Sequence, residues 1–109
     1  MLKIVILVSM LMGVTLAAVD PCIINEGEAW AKTMVQQMTE AVNKEEKARS
    51  QVMTYIQIIN TMGDMDHCLA YLQFYNQDHV KWSCTIQTTD DGTHTHKYVM
   101  GEVKCHKSD

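Results

Sequence analysis

The sequence predicts a small α+β domain in which two or three helices pack on a C-terminal two-stranded antiparallel hairpin, held by two disulfides. Three observations lead to this fold class. Apolar residues recur at helical spacing from about residue 26 to 62, the period changes to strict alternation over residues 80–87, and four cysteines follow a predicted export signal.

The N-terminus has the pattern of a secretory signal peptide. Lys3 supplies a positive charge, and residues 4–17 form an uncharged apolar run that ends in small residues suited to cleavage after Ala17. The run is shorter than the roughly 20 apolar residues of a membrane-spanning helix. We therefore expect residues 1–17 to be a signal peptide and residues 18–109 to form a single secreted, extracellular domain.

The first half of the mature chain is predicted to be helical. Asn25 is a favourable N-cap, and Glu28 completes a capping box. Apolar residues then recur three or four positions apart, apart from one gap, at Trp30, Met34, Met38, Ala41, Ala48, Val52, Tyr55, Ile59 and Met62. The polar run 43–50 interrupts this stripe, so the segment is either one helix over about 26–62 or two helices. We favour a break near Asn43, because an unbroken helix would exceed the diameter of so small a domain.

A further short helix and a hairpin complete the predicted fold. Residues 64–76 follow an aspartate cap and repeat apolar side chains at intervals of three. Residues 80–87 then alternate between apolar and polar side chains, as a half-buried strand does. A three-residue loop at 90–92 would return the chain as the second strand, with Cys84 opposite Tyr98.

The four cysteines indicate two disulfides, since even numbers of cysteines in small exported chains usually pair. In the predicted hairpin Cys105 lies seven residues beyond the position opposite Cys84, too far for these two to bond if the strands are straight. The favoured pairing is Cys68–Cys84 with Cys22–Cys105. The alternative is Cys22–Cys84 with Cys68–Cys105.

The stretch TTDDGTHTH, residues 88–96, is the strongest candidate for a metal site. His94 and His96 would lie on one strand face about 6.5–7 Å apart, as copper or zinc ligands with Asp90 or Asp91. Because spacing fixes no third ligand, we interpret the stretch as a turn and expect no resident metal or cofactor.

Nothing in the sequence predicts a catalytic site. Asp64, Asp66 and His67 could serve a small secreted hydrolase, but capping at a helix start explains both acids. No serine stands in a G-x-S-x-G context, and no glycine-rich loop could cradle a phosphate. We therefore expect a protein that is not an enzyme.

Charge and composition favour a binding function. Loss of the signal removes Lys3 and leaves a net charge of −5 with scattered bases, which argues against nucleic-acid binding. Methionines can form adaptable contact surfaces, so the candidate binding residues are Trp30, Met53 and Met65. The size and cysteine number resemble those of cystatin-like inhibitors, but the chain lacks their Q-x-V-x-G loop and Pro-Trp hairpin, and no family is assigned.

The favoured function is that of a secreted protein-binding effector. Such a protein would be an extracellular ligand, an inhibitor or a venom-type toxin that acts on a protein target or receptor by surface complementarity, as a monomer or small homo-oligomer. The alternative is a secreted carrier of a small apolar ligand. A cavity among the methionines would favour the carrier, whereas an exposed apolar patch would favour the protein-binding effector.

Overall fold

A computed structural model describes residues 20–108, and within them the chain forms one α-helix and four antiparallel strands. The elements are helix α1 (Ala29–Glu46), a 3₁₀ turn (Lys47–Arg49), β1 (Thr54–Gly63), β2 (His67–Tyr75), β3 (Lys81–Asp90) and β4 (Tyr98–Lys107). The strands form a single meander in the order β1-β2-β3-β4. The predicted signal peptide, residues 1–17, lies outside the described residues.

The predicted helices beyond α1 are wrong, and with them the fold class of helices on a two-stranded hairpin. The helix ends at Glu46, and residues 54–63 form strand β1. Two irregularities in the β1–β2 pairing, at Ile56 and Ile59, each add a residue to β1. Side chains that point to the core are therefore three residues apart, which imitates the spacing of a helix face.

The helix predicted for residues 64–76 is also wrong, because most of this segment is strand β2. Ala70, Leu72 and Phe74 point into the core, while the alternate residues Leu69 and Tyr71 are only half-buried on the opposite face. Both faces of β2 are thus apolar, and a continuous apolar run does not distinguish a strand from a helix by its period.

The core lies between α1 and one face of the sheet, which we call the inner face. The helix contributes Met34, Met38 and Val42, all at most 1% exposed. They belong to one cluster with residues of β2, β3 and β4: Ala70, Leu72, Phe74, Cys84, Ile86 and Tyr98. A strand pattern that alternates buried and exposed residues is expected for an antiparallel sheet covered on one side only.

Side-chain amides fasten the segment between α1 and β1. Asn43 accepts a hydrogen bond from the Met53 backbone N–H at 2.7 Å and donates one to the Met53 carbonyl at 3.1 Å. Gln77, in the β2–β3 turn, does the same for Val52 N–H (2.9 Å) and the Ser50 carbonyl (3.1 Å). These pairs replace the backbone partners that an irregular segment lacks.

The β3–β4 connection is longer than predicted. Asp90 pairs with Tyr98, so residues 91–97 form a seven-residue loop instead of a three-residue turn. Gly92, His94 and His96 all have positive φ angles, of 95°, 55° and 58°, which lets the loop fold back on itself. The longer loop shifts the register by six residues, and an irregularity between Ile86 and Thr88 adds a seventh, which brings Cys84 directly opposite Cys105.

The disulfides are Cys22–Cys68 and Cys84–Cys105, with Cα–Cα distances of 5.7 and 4.1 Å. The favoured pairing (Cys68–Cys84 with Cys22–Cys105) and its alternative (Cys22–Cys84 with Cys68–Cys105) are therefore both wrong. The reason is the longer loop together with the irregularity between Ile86 and Thr88, because the argument against Cys84–Cys105 assumed a three-residue turn and straight strands. Cys22–Cys68 fastens the N-terminal segment to β2, next to a hydrogen bond from Cys22 N–H to the Gly63 carbonyl at 3.0 Å. Two disulfides are compatible with an extracellular protein.

Candidate functional site

A cleft rich in carboxylates lies at the end of the sheet where the β1–β2 turn meets the β3–β4 loop. It has a volume of about 410 Å³. Its lining residues are Asp20, Asp64, Met65, Asp66, Asp90, His94, His96 and Tyr98. Four of these eight carry carboxylates and none is a lysine or arginine, so the cleft favours positively charged ligands.

The β1–β2 turn supplies one wall of the cleft. Gly63 has a φ of +94°, and its missing side chain leaves room for the His67 carbonyl. Asp64 then accepts hydrogen bonds from the backbone N–H groups of Asp66 and His67, both at 2.9 Å. The helix cap predicted at Asp64 is wrong, because these hydrogen bonds close a turn between two strands instead of starting a helix.

The β3–β4 loop supplies the opposite wall. The Asp90 side chain is 7% exposed and accepts hydrogen bonds from Gly92 N–H (2.7 Å) and His94 N–H (3.3 Å). The Asp90 backbone N–H donates to the Asp66 carbonyl at 2.8 Å, which joins the two walls. The turn and the loop are therefore one hydrogen-bonded unit.

Two carboxylates and one imidazole converge inside this unit. His94 Nδ1 lies 3.4 Å from Asp66 Oδ1 and 3.7 Å from Asp90 Oδ2. One possible ligand atom from each of the three residues lies within 4.8 Å of the other two. The sequence identified His94, and Asp90 as a possible third ligand. The sequence predicts Asp66 as a helix cap, with a hydrolase site beside Asp64 and His67 as the other interpretation. Neither places Asp66 near His94, because that approach depends on the pairing of three strands.

The structure does not place His96 beside His94 as a second metal ligand. Its ring stacks on Trp30 instead, with 4.2 Å between ring centroids and 15° between ring planes. The Tyr98 hydroxyl lies 3.4 Å from His96 Nδ1. Trp30, a predicted binding residue, thus supports the loop from the helix side.

The carboxylates give the cleft a negative electrostatic potential, which acts on Tyr98. Burial raises the pKa of Tyr98, and the charges of Asp90 and Asp66 raise it further. In the same loop, hydrogen bonds from Thr93 lower the pKa of Asp91. The Asp91 side chain accepts the Thr93 backbone N–H and does not belong to the cluster of Asp66, Asp90 and His94.

The other two predicted binding residues, Met53 and Met65, lie in the core and in the cleft respectively. Met53 is 2% exposed and belongs to the core, so it offers no binding surface. Met65 is half-buried and lines the cleft. The His67 side chain is 78% exposed and 3.9 Å from Asp64, outside the cluster around His94. All four cysteines are in disulfides, so none is available as a nucleophile.

A second surface lies on the face of the sheet that turns away from the helix, which we call the outer face. Two shallow depressions of about 130 and 160 Å³ adjoin there. Together they are lined by Asn60, Met62, Leu69, Tyr71, Thr85, Gln87, Glu102 and Lys104. Met62 is 57% exposed, and Tyr71 stacks against His106 with 6.2 Å between ring centroids.

No protein-family model matches the chain, and neither the curated proteins nor the solved structures include one with significant similarity to it. Within residues 20–108, no helix is both long enough and apolar enough to cross a membrane.

Proposed function

We propose that this chain is a secreted protein-binding domain that contacts an extracellular target through the outer face of its sheet. The observation that carries the proposal is the composition of that face. It combines exposed or half-buried apolar and aromatic side chains with neutral hydrogen-bonding groups, and it has little charge.

The apolar part of the outer face is continuous across two strands. Met62 on β1 pairs directly with Leu69 on β2, and Tyr71 follows on the same face of β2. Methionine and tyrosine are enriched in protein–protein interfaces, because they offer large contact areas with adaptable or amphipathic side chains. A protein partner with a complementary apolar surface would remove this patch from water.

The low charge of the outer face also supports the proposal. The whole chain has 13 acidic residues against 9 basic ones. Around the two depressions, however, the charged side chains are Glu102 and Lys104, which pair with each other at 3.4 Å. The centres of protein–protein interfaces are depleted in charge, because an unpaired charge costs free energy when it loses water.

The methionines do not favour the carrier. Met34, Met38 and Met53 are at most 2% exposed and pack against the residues of the core. Their packing accounts for their presence without a ligand. Met62, Leu69 and Tyr71 form an apolar patch on the outer face instead, and such a patch favours a protein-binding effector over a carrier.

The biological setting completes the proposal. The signal-like N-terminus and the two disulfides fit export to an oxidising compartment, where the chain would meet its target. An extracellular ligand, an inhibitor and a venom-type toxin would all act through such a surface. The net negative charge and the scattered bases disfavour nucleic acid as the partner.

Site-directed photo-cross-linking tests this function. Benzoylphenylalanine replaces Tyr71 on the outer face or, as a control, Gln36 on the exposed side of α1. Each protein is irradiated with the extracellular fluid and cell surfaces that it meets after secretion. We expect discrete protein adducts from position 71 alone, suppressed by excess unlabelled protein but not by a Leu69→Glu variant. Equal adducts from position 36, or none from position 71, would contradict the proposal.

A further inference from the structure

We propose that Asp66, Asp90 and His94 bind a first-row divalent metal ion, with zinc as the model ion. The proposal is independent of the outer face, because these residues lie in the cleft at the end of the sheet. It rests on the identity of the three ligands, on their separation, and on the burial of one carboxylate without a lysine or arginine beside it.

The separations fit direct coordination. Zinc bonds to histidine nitrogen and carboxylate oxygen are about 2.0–2.2 Å long, so neighbouring ligand atoms of a tetrahedral site are about 3.3–3.6 Å apart. His94 Nδ1 lies 3.4 Å from Asp66 Oδ1 and 3.7 Å from Asp90 Oδ2. Only small side-chain movements are needed to bring the three groups around one ion.

The burial of Asp90 is the second, independent observation. Its side chain is 7% exposed, and its ion-pair contact is with His94, a residue that is charged only when protonated. Within residues 20–108, no lysine or arginine nitrogen lies within 4 Å of this carboxylate. A buried carboxylate is costly unless it is both hydrogen-bonded and paired with a positive charge. The backbone N–H groups of Gly92 and His94 already donate hydrogen bonds to Asp90 Oδ2, but no permanently charged cation pairs with it within the described residues. A bound cation would provide the missing charge.

The loop around the cluster holds the ligands in place. Gly92 N–H donates to Asp90 Oδ2 at 2.7 Å, and Asp90 N–H donates to the Asp66 carbonyl at 2.8 Å. Such contacts orient metal ligands before the ion arrives and contribute to affinity. His94 has the left-handed φ of 55° that directs it back to the two carboxylates.

The ligand set selects the class of ion. Calcium prefers six to eight oxygen ligands, whereas an imidazole with two carboxylates suits zinc and its first-row neighbours. Three protein ligands leave at least one coordination position open towards the cleft, where a water molecule or a carboxylate of a ligand could bind.

Isothermal titration of the mature protein with zinc chloride tests the site, with calcium chloride as the comparison ion. His94→Asn removes the imidazole but keeps a residue that tolerates a positive φ. Asp66→Asn removes one charge from a side chain that is 54% exposed, so the fold does not depend on it. His67→Asn is the matched control, since His67 lies on the same turn outside the cluster.

We expect one zinc ion per chain, with affinity lowered about tenfold or more by His94→Asn and by Asp66→Asn. We expect His67→Asn to change the affinity less than twofold and calcium not to compete at equal concentration. In ¹⁵N NMR spectra, zinc should shift the ring nitrogens of His94 most among the five histidines. No zinc binding, or equal losses in His94→Asn and His67→Asn, would overturn the proposal.

Discussion

Gly63 shows how one residue shapes the candidate site. Its φ of +94° is favourable only for glycine, and a Cβ there would lie 2.3 Å from the His67 carbonyl oxygen. Both features permit the tight β1–β2 turn that presents Asp64 and Asp66. Gly92 has nearly the same φ, +95°, but nothing within 4 Å of an added Cβ.

The two glycines form a matched pair for mutagenesis. Gly92→Ala should lower the unfolding free energy by about 1 kcal/mol, because alanine is strained at a positive φ. Gly63→Ala should lower it by about 2–4 kcal/mol, because the turn must also move to make room for the Cβ. Urea unfolding monitored by tryptophan fluorescence measures both values. Equal losses in the two variants would show that the close contact at Gly63 is absent.

Tyr55 gives a prediction for alkaline pH. Burial, a hydrogen bond donated to the Glu26 carboxylate and the charge of Glu26 all raise the pKa of Tyr55. The folded state therefore favours the neutral phenol. The resulting stability is complete below the ordinary tyrosine pKa of about 10 and is lost as pH rises through the raised folded pKa.

Comparison with a Tyr55→Phe variant isolates this contribution. The wild type should be the more stable of the two at neutral pH, and its advantage should shrink steadily above about pH 10. Thermal unfolding followed by circular dichroism between neutral and strongly alkaline pH measures the difference. An advantage that stays constant across this range would mean that Tyr55 is not held neutral by Glu26.

At the scale of the elements, the sequence predicts a helix in the right place but not where it ends. Met34 and Met38 have helical spacing and lie on the buried face of α1. Met62 continues the same stripe in the sequence, yet it is 57% exposed on a strand. The bulges in β1 cause this error, because spacing along the chain does not reveal an extra residue in a strand.

Only part of the candidate site could be predicted from the sequence, because spacing along the chain does not reveal contacts between strands. His94 and Asp90 are close in sequence, so local spacing indicated them. Asp66 joins them only through the β2–β3 pairing, in which His67 lies opposite Thr89. A seven-residue loop and two strand registers decide this contact. None of these can be derived from residue spacing alone.

The two disulfides link the elements, and their contributions to stability can be predicted from the chain length that each one closes. They close chain separations of 46 and 21 residues. In the loop-entropy model, removal of Cys22–Cys68 by a double Ala substitution should cost about 4 kcal/mol, and removal of Cys84–Cys105 about 3 kcal/mol. Peptide mapping of the unreduced wild type should recover these two pairs. Recovery of Cys68–Cys84 would contradict the observed sheet register.

At the scale of the whole molecule, the sheet has one covered face and one uncovered face. Helix α1 buries the inner face, and the outer face keeps an apolar centre that the fold itself does not need. The carboxylate cleft lies at the end of the sheet. The molecule therefore separates a surface suited to a protein partner from a site suited to a cation.

Two leucines on the same strand test this division. Leu72 points to the helix and is fully buried, whereas Leu69 is half-buried on the outer face. Leu72→Ala should cost about 2–5 kcal/mol of unfolding free energy, and Leu69→Ala about 1 kcal/mol or less. Denaturant unfolding measures both. A larger loss for Leu69→Ala would mean that the outer face serves stability instead of binding.

Hydroxyl-radical footprinting of the wild-type protein, alone and in complex with the target that cross-linking identifies, tests the central claim most directly. Ile23 and Val52 are 64% and 65% exposed and lie outside the two outer-face depressions, so they report on unrelated surface. The account predicts that Met62, Leu69 and Tyr71 lose reactivity in the complex, while Ile23 and Val52 keep theirs. Protection of Ile23 and Val52 with Met62 and Tyr71 still reactive would place the partner elsewhere and contradict the account.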